Sequence, residues 1–182
     1  SRDCCLRLWH VESAETFREL MGHMAPVCCV TANFKKQIAI SGSIAIVRVW
    51  INIASRATHE YYRDWEGHVG WVIAVAADWT REVSLSVDSE GTMRLFAGDG
   101  TRVVRNTSEN RRVTCVTPLW ASNRFLRGFD DGLLHVWTED GAVEQELQGH
   151  ESGVACVALD GAAAPAPVDG AEEAPEAPEA PE

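Results

Sequence analysis

The chain has 182 residues, with 27 acidic against 16 basic side chains and a formal charge of −11. That balance excludes a whole-chain basic footprint for nucleic acid, and no run approaches the ~20 apolar residues that span a bilayer. No charged-then-apolar segment opens the sequence, so neither membrane insertion nor a secretory leader is expected.

In chain order, the first element is the short β-rich run Leu6-Arg7-Leu8-Trp9, preceded by the pair Cys4-Cys5. Gly22-His23 follows, then an apolar strand over residues 27–32 carrying Val27 and Val30, and a run Val47-Arg48-Val49-Trp50. The pattern returns with Gly67-His68, Val72 and Val75, and Met93-Arg94-Leu95-Phe96. It returns with Val113 and Val116, then Leu134-His135-Val136-Trp137, and opens once more with Gly149-His150, Val154 and Val157. Val27, Val72, Val113 and Val154 step by 45, 41 and 41 residues, and Trp9, Trp50, Phe96 and Trp137 by 41, 46 and 41. Within one unit, strands are expected at 71–78, 83–88, 92–97 and 101–106. They are separated by residues 79–82, 89–91 and 98–100, which carry turn chemistry or charge. Further inner strands are expected at 113–117 and 154–159. Residues 162–182 hold six acids, no base, eight Ala and five of the seven Pro. Such a segment buries too little to offset the entropy of ordering, so a disordered acidic tail is expected.

The period, the Gly-His pairs and the strand-ending Trp resemble the WD-repeat β-propeller family over nearly all of the chain before the tail. The resemblance implies an all-β fold of four-stranded antiparallel blades, about four blades' worth. Its expected boundaries are a partial blade at 1–23, blades at about 24–68, 69–109 and 110–150, a partial blade at 151–161, and the tail. Seven blades of ~42 residues need roughly 290, so an incomplete propeller with open sheet edges prone to self-association is expected. The family also implies a buried chain of His, Ser, Asp and Trp across each blade. The residues at those places are His23, Ser41 and Trp50; His68 and Ser86; Asp131 and Trp137; and His150. Glu90 stands at one turn, Phe96 replaces one Trp, and Glu109 and Arg127 replace one His and one Ser, so no complete set is expected.

Six cysteines at 4, 5, 28, 29, 115 and 156 contain no C-x-x-C spacing, and neighbours in a strand point to opposite faces. Buried free thiols in a reducing, intracellular setting, cytoplasmic or nuclear, are therefore expected, with no metal site. No P-loop, H-E-x-x-H, nucleophile elbow or strand-led G-x-G-x-x-G is present, and Gly98-Asp99-Gly100 reads as a hairpin turn. Neither a catalytic residue nor a cofactor is nominated.

Protein binding is the better-supported chemistry, because rigid strands display connecting loops to partners. Met24, Tyr61, Tyr62, Trp65, Trp71, Arg111 and Arg112 lie at or beside the corner where each unit begins. Trp, Tyr and Arg dominate interface hot spots. Arg outnumbers Lys by 14 to 2, which suits carboxylate or phosphate recognition, while Arg7, Arg48 and Arg94 read as outward strand decoration. The expectation is a non-enzymatic interaction scaffold for proteins or peptides. The alternative is a regulatory propeller of a larger enzyme whose catalytic site lies elsewhere.

Overall fold

The computed structural model describes residues 2–55, 60–97 and 111–159. The acidic tail, Glu109 and the turn at Gly98-Asp99-Gly100 lie outside them, as do the side chains of Tyr61 and Tyr62. The fold is all-β. Its strands are β1 (Leu6–His10), β2 (Glu15–Leu20), β3 (Cys29–Asn33), β4 (Ile38–Gly42), β5 (Ile44–Ile51) and β6 (Glu60–Asp78). They continue with β7 (Val83–Asp88), β8 (Met93–Phe96), β9 (Val113–Leu119), β10 (Arg124–Phe129), β11 (Leu134–Thr138) and β12 (Val143–Leu147). One 3-10 turn, Trp120–Ser122, joins β9 to β10.

All pairing is antiparallel, in three sheets ordered β1-β2, β3-β4-β5-β6-β7-β8 and β12-β11-β10-β9. The meander of the last sheet is a four-stranded blade. The long sheet differs from the separate strands the sequence suggests, because β6 runs unbroken from Glu60 to Asp78. Its first half pairs with β5 from Glu60 to Glu66, the register then slips so that Ile44 faces Trp71, and its second half pairs with β7 from Val72. Gly67, at φ +110°, lets the backbone pass from one ladder to the next, a conformation an L side chain resists.

Three apolar cores lie between successive units, as expected where sheets are covered on both faces. Leu8 and Leu20 meet Ala39, Trp50 and Ile53. Ile40, Val47 and Val49 meet Val72, with Trp65 and Trp79 packed alongside. Leu85, Val87, Met93 and Leu95 meet Val113, Phe125, Phe129 and Trp137. Trp50, Phe96 and Trp137 are therefore buried, but Trp9 and Val30 are each 54 % exposed, since β1 is paired with β2 alone.

The repeat reaches the backbone. Gln37, Glu82 and Asn123 take φ of 59°, 59° and 52°, each immediately before the second strand of its unit. Gly42 and Gly128 admit the next unit's inner strand closely: a Cβ on Gly42 would lie 2.5 Å from Val72 Cγ1, and one on Gly128 2.9 Å from Val154 Cβ. Residues 151–159 accordingly lie along the last sheet without strand assignment. Val154 N–H donates to Phe129 O at 2.9 Å, and Thr117 Oγ1 donates to Val157 O at 2.8 Å.

All six cysteines are free. Burial holds for Cys5, whereas Cys28 and Cys156 are exposed, a correction to the expectation of uniformly buried thiols. Arg48 also departs from outward decoration. It is 7 % exposed, with Nε and Nη2 bonded to the two Asp64 carboxylate oxygens at 2.6 and 2.7 Å and its guanidinium 5.6 Å from the Trp50 ring centroid.

Candidate functional site

Two polar layers are built on these strands, one buried and one at the rim. In the buried layer, Ser41 projects inward from β4, where Trp50 Nε1 donates to its Oγ at 2.8 Å. The same Ser41 Oγ lies 2.7 Å from His23 Nε2, in hydrogen-bond contact with the ring. Burial, and next the charge of Arg48, push the His23 pKa down to about 4.

The second unit holds a three-member chain. His68 Nδ1 lies 2.9 Å from Asp88 Oδ2, and His68 Nε2 lies 2.7 Å from Ser86 Oγ. Burial alone would raise the Asp88 pKa, but the His68 bond and the amides of Thr92 and Val69 outweigh it and hold the carboxyl below its usual value. Sequence reasoning missed Asp88, because the repeat places its turn acid two residues later, at Glu90. The connectivity Ser86–His68–Asp88 has the order of a catalytic triad. Yet Ser86 is 1 % exposed in the middle of a ladder, where no substrate carbonyl reaches its Oγ.

The third unit is different. Arg127 and Trp137 are buried side by side, with the guanidinium carbon 4.6 Å from the ring centroid. Burial pushes the Arg127 pKa down to about 10, and the charge of Asp88 opposes that shift. Asp131 does not join Trp137. It accepts from Leu133 N–H at 3.1 Å and lies 3.3 Å from Arg111 Nε, on the exposed turn. His150 is exposed, with its carbonyl close against Gly132.

The rim layer lies at one end of the sheets, where the entry to each inner strand is tied to a turn between the second and third strands. Ser43 Oγ donates to Ala25 O and Pro26 O, both at 3.0 Å, and Val72 N–H donates to Ser43 O at 3.0 Å. Ser89 N–H donates to Trp71 O at 2.8 Å, and Asp130 N–H to Arg112 O at 3.1 Å. These bonds hold up an apolar group: Met24 is 98 % exposed, Val69 80 %, Ile44 43 % and Trp71 39 %, with Ile44 paired to Trp71 across β5 and β6.

Arg112 is exposed at the same end. Arg111 sits among carboxylates there, 3.3 Å from Asp131 and 4.0 Å from Glu146. The structure thus brings Met24, Trp71, Arg111 and Arg112 to one end, and adds Ile44 and Val69, which resemble ordinary strand residues in sequence. Trp65 is placed elsewhere, stacked on Phe96 at 4.2 Å and packed against the core of Ile40, Val47, Val49 and Val72. It lines a cavity of about 320 Å³ with Ile38, Ile40, Val49, Ile51 and Trp79.

Among the described residues no group of three or more His, Cys, Asp or Glu is placed to hold a metal ion, and no helix is long and apolar enough to cross a membrane.

No family model matches the chain. Among curated proteins it is similar to Protein TPR3 of Oryza sativa subsp. japonica, 26 % identical over 147 residues that cover 76 % of this chain and 13 % of that protein. It is likewise similar to Protein TOPLESS-RELATED PROTEIN 2 of the same organism, 26 % identical over 145 residues with the same coverage of each. The chain spans about 13 % of the length of these relatives.

Proposed function

We propose that this chain is a non-enzymatic protein-interaction scaffold. Its blades follow the repeat, at about 24–68, 69–109 and 110–150 with partial units at 1–23 and 151–161. Its contact face is the rim carrying Met24, Ile44, Val69 and Trp71. The observation that supports this most is the exposure of four large apolar side chains, Met24 on a loop and Ile44, Val69 and Trp71 on β5 and β6, at an end tied together by backbone and serine hydrogen bonds. Singly exposed apolar residues are ordinary, but a group displayed at one end of a stiff sheet stack marks an interaction site. Arg111 and Arg112 beside it favour a partner that brings an apolar side chain together with a carboxylate. The similarity to TOPLESS-related proteins fits a scaffold reading. The edge of β1 left without a strand is where a second copy of the chain would add.

The test is to capture proteins on the immobilised chain and on Trp71→Ala and Arg111→Ala variants whose melting temperatures match it. The scaffold reading expects at least one protein to lose tenfold or more in affinity, about 1.4 kcal/mol. An identical set retained with identical affinity by all three would overturn the assignment of this face.

A further inference from the structure

The cavity beside Trp65 has walls that the strand register builds. On β4 and β5, Ile38 stands opposite Ile51 and Ile40 opposite Val49, so four branched side chains make one apolar wall. Trp65 stands opposite Val47, two residues before Val49 on the same face of β5, and continues that wall. The facing half of the long sheet brings the small pair Ala77 and Ser84, with Trp79 in the turn after β6. Large residues on one side and small ones on the other leave about 320 Å³ unfilled, whereas protein interiors seldom hold voids larger than a water molecule.

The charges around the opening are matched in sign. Lys36 Nζ, in the turn before β4, donates to Glu82 Oε1 at 3.0 Å in the turn before β7, and both side chains reach solvent. Asp78 accepts the amides of Thr80 and Arg81 and lies 3.6 Å from Arg81 Nε. A charged ligand would have to break one of these pairs or leave its own charge against apolar walls. Ser84 carries the hydroxyl of the lining and can donate or accept. An apolar cavity of about 150 Å³ takes one benzene ring, so this one has room for two fused rings.

We propose that the cavity between β4–β5 and the β6–β7 turn binds a neutral two-ring aromatic molecule with one hydroxyl or carbonyl group. Its rings lie between the isoleucine wall and Trp79, and its polar group meets Ser84. The site is at the end opposite Met24 and Trp71 and does not depend on a partner binding there.

The probe is 2-naphthol, a phenol and therefore uncharged at pH 7. It is titrated into the whole chain and followed by the indole N–H resonances. Saturable binding with a dissociation constant on the order of 0.1 mM is expected. Of the seven indoles, those of Trp65 and Trp79 should shift. The carboxylate 2-naphthoate and the cation 2-naphthylmethylammonium should each bind at least tenfold more weakly. Ser84→Leu fills the space, so it should abolish binding while holding or raising the melting temperature. Should that variant fail to fold, Ser84→Ala must weaken 2-naphthol about fivefold through the lost hydrogen bond. No saturation, equal affinity for either charged analogue, or shifts confined to other indoles would overturn the proposal. So would full affinity in the folded Ser84 variant. If a second copy of the chain fills the cavity instead, the Trp65 and Trp79 resonances move on dilution without probe, which also overturns it.

Discussion

At the residue scale, the buried His23 sets an acid sensitivity whose sign follows from its burial. His23 titrates near 4 in the folded chain and near 6.5 when unfolded. The unfolded state therefore binds more protons between those values, so stability is full above about pH 6.5 and falls as pH drops toward 4. The loss expected is about 3 kcal/mol, read as a fall in the urea midpoint between pH 7 and pH 4. His23→Gln should flatten the profile over that window, and an unchanged slope would refute the neutral-imidazole assignment. Asp88, held below its usual value, adds a second loss at still lower pH. His68→Ala removes the partner of a buried carboxylate and hydroxyl together, and is expected to cost about 3 kcal/mol in equilibrium unfolding.

At the element scale, the sheets are seated on one another by glycines at matching places. Gly128 faces Cys115 Sγ and Val154, and a Cβ there would lie 2.6 Å from the sulfur and 2.9 Å from Val154 Cβ. Gly128→Ala should thus push residues 151–159 off β9 and cost about 1–3 kcal/mol of stability, measured by chemical unfolding. Wild-type stability in that variant would show that the strand's seat is loose. The valine and tryptophan ladders were legible in the sequence because burial between sheets demands apolar residues at a fixed period. The continuity of β6 was not legible, since Gly67-His68-Val69-Gly70 has the composition of a turn. Its extension depends on one glycine dihedral and on pairing to strands on both sides. Asp88 escaped for a related reason: its role depends on the direction of a side chain at the end of β7, not on a position in the period.

At the scale of the whole molecule, apolar cores lie between successive units while one end carries the exposed group Met24, Ile44, Val69 and Trp71. The composition of the rim was half legible. Trp71, Arg111 and Arg112 stand out by residue type, while Ile44 and Val69 become conspicuous only once their exposure is known, and Trp65 resembles a rim residue until Phe96 is found stacked on it. The opposite end offers turns at Asn33–Gln37, Asp78–Glu82 and Trp120–Asn123, tied by their own bonds, such as those from Thr80 and Arg81 N–H to Asp78 Oδ1. On the proposed reading, partners meet the first end and not the second. Hydrogen–deuterium exchange of the chain with and without a captured partner tests it most directly. New protection is expected in the segments around residues 24–28, 42–45 and 67–72, with the turns around 33–37, 78–82 and 120–123 unchanged. Protection confined to those three turns would contradict it.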